Sequence, residues 1–222
     1  MRMLVRFGKR PRLRFISHLD LQRFMQMALN RTGLPIQYSQ GFNPHPLMAF
    51  GSALALGWTS DYEVLDVRLA APMGRGRCEE AMKRALSEDL PVLEVKLVED
   101  RRPAAMAQVE ASDYRVTVAG DGAEALTGAI PGFLASDQVL AMKKTKSGEK
   151  EIDIRPMVLS LMPAEDGFDA RLMLTEKASL KADLLARVLA GRTGVECPEL
   201  RVHRRTLLGR DAAGELRPLM EL

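Results

Sequence analysis

The first nine residues alternate. Met3, Val5 and Phe7 are apolar, with Leu4, Arg6 and Gly8 between them, and this period of two predicts a short strand. Ser17-His18-Leu19-Asp20 then fits a capping box, with Ser17 as N-cap and Asp20 at the third helical position. Behind it Leu21, Phe24, Met25, Ala28 and Leu29 recur at helical spacing and form one apolar face. Gly33 ends that helix at C′, and Pro35 prevents its resumption. Ile36 to Ser39 reads as extended. Two prolines and a glycine in Gln40-Gly41-Phe42-Asn43-Pro44-His45-Pro46 forbid regular structure there. Leu47 to Leu56 suits a buried strand, and Tyr62 to Leu69 a further one. Residues 75–88 form a helix with Cys78, Ala81, Met82, Ala85 and Leu86 on one side, and Val92 to Leu97 closes the unit as a strand. The order is β-α-β-β-α-β, the split-βαβ arrangement.

The order recurs downstream. Tyr114 to Val118 reads as a strand and 122–135 as a poorer helix. Val139 to Lys144 and Lys150 to Leu161 suit a hairpin. Phe168 to Thr175 is a strand, Leu180 to Leu189 a strong helix ended by Gly191 or Gly194, and Leu200 to Leu207 a final strand. The chain therefore reads as α+β, two tandem ferredoxin-like (βαββαβ) units. The first covers 1–100 and the second 113–210, with a linker at 101–112 and a tail at 211–222.

Composition narrows the class without naming a function. At 222 residues the chain has room for two small domains. No apolar run approaches the roughly 20 residues that span a bilayer, and the N-terminus lacks the apolar core of a signal peptide. Cys78 and Cys197 are far apart, so a reduced pair in a cytoplasmic protein is the plain expectation. Two cysteines and three scattered histidines do not supply a metal or cluster site easily. The net charge of +3 conceals an asymmetry. Residues 1–50 hold eight basic side chains, Arg2, Arg6, Lys9, Arg10, Arg12, Arg14, Arg23 and Arg31, against one acid, Asp20. Such clustering suggests a surface that faces a polyanion.

Three groups of residues suit that chemistry. Arg10, Arg12, Arg14 and His18 stand before or at a helix N-terminus, where exposed N–H groups favour anions, and Arg23 follows on the helix. His18 also has the side chain of a general acid or base, although Ser17 and Asp20 are explained by capping alone. The proline-braced loop presents Phe42 for stacking, Asn43 for reading a base edge, and His45. Lys143 and Lys144 sit near a hairpin tip. On the last strand Arg201, His203 and Arg205 share one face, and Val202 and Arg204 the other. His18 and His45 are the candidate catalytic groups. No Gly-rich phosphate loop, nucleophile elbow, paired carboxylates or cysteine triplet accompanies them.

Phe15-Ile16-Ser17-His18-Leu19-Asp20-Leu21, Gly33-Leu34-Pro35 and Tyr38-Ser39-Gln40-Gly41-Phe42-Asn43-Pro44-His45-Pro46 together resemble the radical-SAM-linked domain of unknown function. Glu63-Val64-Leu65-Asp66-Val67 and Glu151-Ile152-Asp153-Ile154-Arg155 are also similar to it, so the likeness covers nearly the whole chain. Members of that family are encoded beside, or fused to, a radical SAM protein. The resemblance implies such an enzyme as partner, carrying its own iron–sulfur cluster and S-adenosylmethionine, with no cofactor bound by this chain. The tandem ferredoxin-like reading also resembles the CRISPR repeat-processing RNA endonucleases, by architecture alone. Three functions follow as expectations. The first is an accessory RNA-binding module working with a radical SAM enzyme in RNA modification or processing. The second is a metal-independent endoribonuclease. The third is a scaffold that docks a radical SAM partner.

Overall fold

A computed structural model describes residues 1–118, 122–145 and 148–222, apart from the side chains of 144 and 145. The chain is mixed α/β, with mostly antiparallel sheet and few helices. It divides into two compact units, Met1–Val109 with Thr206–Leu222, and Glu110–Arg205.

In the first unit β1 (Arg2–Lys9) leads through a 3-10 turn, Pro11–Leu13, into α1 (His18–Arg31). Ser17 caps α1 as the sequence predicts. Asp20 N donates to Ser17 Oγ at 3.2 Å, and Ser17 Oγ donates to the Asp20 carboxylate at 2.7 Å. Gly33 leaves the helix with φ +66°, a conformation glycine adopts without cost. β2 is only Met48–Phe50, and Ile36 and Tyr38 make isolated bridges rather than a strand. β3 (Thr59–Arg68), α2 (Arg75–Ala85) and β4 (Val92–Val98) follow. β1 lies between β3 and β4, antiparallel to both, and β2 pairs with β3. Met3, Val5, Phe7, Leu65 and Val67 meet Leu21, Met25, Ala28 and Leu29 of α1 and Cys78, Ala81 and Met82 of α2 in one core.

The opposite sheet face is covered too. The segment read as a linker holds a short helix, α3 (Ala105–Gln108). At residues read as a tail, Leu219 and Met220 are buried. Tyr62 Oη accepts from Met220 N at 3.0 Å, and Lys96 Nζ donates to the carbonyls of Met220 and Leu222 at 2.9 and 2.7 Å. Beneath this layer lies a buried ion pair. Arg2 approaches Asp66 at 3.4 Å and donates to the carbonyls of Arg102 and Pro103, while Asp66 accepts from Ala105 N at 3.0 Å.

The second unit begins with β5 (Ala111–Val118), then α4 (Ala123–Gly128) and α5 (Ile130–Leu134) in place of one helix, because Pro131 removes an internal donor. Among the described residues β6 (Leu140–Thr145) and β7 (Gly148–Asp153) pair with each other as a separate two-stranded sheet. The single arm expected from Lys150 to Leu161 is two elements. Asp153 Oδ1 accepts from Val139 N and Arg155 N, Pro156 holds a 3-10 turn, and β8 (Val158–Ala164) starts afresh. β9 (Gly167–Met173) pairs with both β5 and β8. α6 (Ala182–Thr193) ends at Gly194 with φ +71°. The start of β10 (Leu200–Arg210) completes the unit beside β5, and its end belongs to the first unit, where β11 (Leu216–Pro218) pairs with it.

Two substitutions test this architecture by urea denaturation. Asp66→Ala strands the Arg2 guanidinium and the Ala105 N–H, so a loss of about 3–5 kcal/mol is expected, and a near-wild-type midpoint would refute the buried pair. Gly167 has φ +151°, and a Cβ there would stand 2.0 Å from the Val116 carbonyl oxygen. Gly167→Ala should therefore cost at least about 1–3 kcal/mol.

Candidate functional site

The residues around the start of α1 form a built surface. Lys9 continues the face of β1 that carries Met3, Val5 and Phe7, so its side chain runs inward and is 2% exposed. Its ammonium donates to the carbonyls of Arg14 and Ile16 at 3.2 and 3.1 Å. These carbonyls flank Phe15. The Gly57 N–H also donates to Arg14 O at 2.8 Å. Held on both sides, Phe15 projects outward and is 67% exposed, with the Arg14 guanidinium 4.6 Å from its ring centroid. Leu19 on the first turn of α1 is 64% exposed, and Leu56, next to Gly57, 62%.

Beside this patch lies an apolar cleft of about 380 Å³ lined by Leu13, Phe15, Ile16, Leu21, Phe24 and Leu90, with Asp20 and Ser87 at its edge. Ile16 precedes the N-cap and Leu21 is the fourth helical residue, the positions of a hydrophobic staple. Arg12 is 80% exposed and 4.0 Å from Asp89, and Arg23 is 3.3 Å from Asp20.

Burial pushes the Lys9 ammonium below its ordinary pKa, and the nearby Glu63 carboxylate opposes that shift. Glu63 is itself 1% exposed. Neither residue stood out among the sequence candidates, yet period-two alternation in β1 already places Lys9 on its apolar side.

The other basic side chains of the segment do not join this surface. Arg2 lies across the sheet with Asp66, and Arg6 on that same side is 3.6 Å from Glu94. Arg10 is held by Asp61 at 2.6 Å. Arg31, at the far end of α1, donates to Ala85 O. Of the eight, Arg12, Arg14 and Arg23 remain at the patch.

His18 opens α1 half-buried, its ring 4.9 Å from Phe50 in an edge contact. The Phe42–His45 loop is anchored elsewhere. His45 Nδ1 and Ser39 Oγ are 2.9 Å apart, His45 N donates to Ser39 Oγ at 3.1 Å, and Tyr38 Oη donates to Asn30 Oδ1 at 2.6 Å. Asn30 lies in the last turn of α1, roughly 18 Å along the axis from His18 at 1.5 Å per residue. The two candidate catalytic histidines thus belong to opposite ends of one helix. Phe42 is fully exposed and Asn43 lies beside it in the same loop.

In the second unit Lys143 donates to the Ser179 carbonyl at 2.7 Å. The Lys144 side chain and residues 146–147 lie outside the described residues. Arg201 is exposed, and Arg205 is 3.1 Å from Asp169. Val202 and Arg204 are buried, as strand alternation predicts. Among the described residues no group of three or more His, Cys, Asp or Glu could hold a metal ion, and no helix is long and apolar enough to cross a membrane. Burial raises the Cys78 thiol above its ordinary pKa, which disfavours a reactive thiolate.

The Lys9 shift carries a pH signature. Its pKa in the folded chain lies below the free value of 10.5, so between the two the unfolded chain binds more protons. The Lys9 contribution to stability therefore increases as pH rises toward 10.5. Urea denaturation of wild type and Lys9→Met from about pH 8 upward should show the difference moving in favour of wild type, and a pH-independent difference would contradict the buried ammonium.

No curated protein matches the chain. One family model matches residues 2–191, spanning both units. The chain belongs to that family, described as uncharacterized protein conserved in bacteria (DUF2344).

Proposed function

We propose that this chain is an accessory docking module that binds a radical SAM enzyme through the surface at the start of α1. One observation carries the reading. Phe15, Leu19 and Leu56 are exposed apolar side chains beside an apolar cleft, flanked by Arg12, Arg14 and Arg23. Aromatic and arginine side chains over a dry cleft are the usual anchors of protein interfaces. The partner class comes from the resemblance to the radical-SAM-linked family.

An RNA-facing role rests on less. Seven of the eight basic residues in the first segment are buried, paired with a carboxylate or at the far end of α1. Phe42 stays available for stacking, but its loop is anchored away from Arg12 and Arg14. An endoribonuclease using His18 and His45 together would need them at one substrate phosphate, and the length of α1 separates their anchors.

For the fold, we read both units as ferredoxin-like. The supporting feature is the strand order, β4-β1-β3 with β2 on β3 in one unit and β10-β5-β9-β8 in the other. The β6–β7 hairpin is then an insertion in the second.

The test is co-expression with a radical SAM protein, followed by nuclease treatment and size-exclusion chromatography. A complex that survives nuclease is expected. Phe15→Asp and Leu19→Asp should each weaken it about tenfold or more, and Phe42→Ala should leave it unchanged. Dissolution by nuclease, or full binding by Phe15→Asp, would overturn the docking reading.

A further inference from the structure

The β6–β7 hairpin carries a surface of complementary chemistry. Cross-strand pairs Leu140–Asp153 and Met142–Glu151 share one face, and Glu149 stands two residues from Glu151 on β7. Leu140 and Met142 are each 51% exposed there, and Glu149 and Glu151 are exposed. The reverse face is turned to the second unit, where Ala141 is buried and Lys143 is tied to Ser179. Among the described residues β6 and β7 form a two-stranded sheet, and the exposure of Leu140 and Met142 leaves its outer face open.

We propose that this hairpin face of one copy of the chain docks into the apolar cleft at the start of α1 of a second copy. Two residues apart on a strand, Leu140 and Met142 are separated by roughly 6.6–6.8 Å and point the same way. The cleft, about 380 Å³ and lined by Leu13, Phe15, Ile16, Leu21, Phe24 and Leu90, has room for two such side chains. Charge sets the orientation. Arg14 and Arg23 stand along the turn and α1 side of the cleft, with Arg12 4.0 Å from Asp89, while Glu88 follows Ser87. Glu149 and Glu151 must therefore meet the α1 side. Asp20 and Asp89 weaken that attraction, lying 3.3 Å from Arg23 and 4.0 Å from Arg12, but both arginines are mostly exposed and keep further N–H donors for a second carboxylate.

Self-association goes beyond the partner reading and does not depend on it. It also gives that surface a regulator. In the free protein the hairpin shields the cleft, and a partner offering apolar side chains flanked by carboxylates competes for it.

Sedimentation of the full chain, without any partner, from about 1 to 100 µM tests this. Concentration-dependent self-association is expected, and added salt should weaken it. Met142→Asp replaces an exposed side chain, so it should fold normally by circular dichroism while associating about tenfold less tightly or worse. A charge-exchange pair provides the decisive arm. One chain carries Arg12→Glu with Arg23→Glu, the other Glu149→Arg with Glu151→Arg. Each alone should be impaired, and their equimolar mixture should recover association, since both possible cleft–hairpin contacts between the two variants bring opposite charges together. A chain monomeric at every concentration, a Met142→Asp variant that sediments like wild type, or a mixture no better than its components would each overturn the proposal. Met142→Asp leaves Phe15 and Leu19 in place, so it separates this contact from the radical SAM complex. Loss of the complex with intact self-association would count against the partner reading alone.

Discussion

β1 is buried on both faces, so a charge placed on it must be satisfied within the protein. Helices cover one side of the sheet, and α3 with the 219–222 segment covers the other. Arg2 and Lys9 lie at opposite ends of this strand and on opposite faces. Each is nearly inaccessible to water. Removing such charges from solvent is costly unless close partners replace the lost hydration. Arg2 finds Asp66 and two carbonyls, and Lys9 finds two carbonyls with Glu63 nearby. These contacts order the segments that supply the partners.

The surface at the start of α1 follows from that constraint. Lys9 grips the carbonyls on either side of Phe15, and the turn cannot fold Phe15 inward without releasing them. Ile16 and Leu21 turn in toward the cleft as Phe15 turns out. The exposed aromatic ring is thus a consequence of a buried lysine, and the cleft beside it is roofed by residues of the same turn. Basic side chains too far along the strand or helix to reach this turn serve elsewhere in the unit.

Unit two uses charge differently. Arg171 pairs with Asp113, Arg115 with Asp169 and Asp166, and Arg205 with Asp169, linking neighbouring strands. Such partly exposed pairs contribute little individually, and they leave that part of the sheet close to neutral. The hairpin of this unit instead exposes Leu140 and Met142 beside Glu149 and Glu151.

Local order was readable from residues alone wherever a short-range rule applied. Ser17 and Asp20 set the start of α1, Gly33 its end, and strand alternation turned Val202 and Arg204 inward, because these depend on neighbours within a few positions. The Lys150–Leu161 arm broke at Asp153 and Pro156 because the Asp153 carboxylate captures Val139 N across the hairpin, a contact that periodicity does not encode. Charge was the least readable property. The sequence determined that basic residues crowd the first fifty positions, since composition is a one-dimensional fact. Only the tertiary structure decided which of them face water, because burial and pairing depend on carboxylates and carbonyls that the fold brings from distant parts of the chain, such as Asp66 to Arg2 and Asp61 to Arg10.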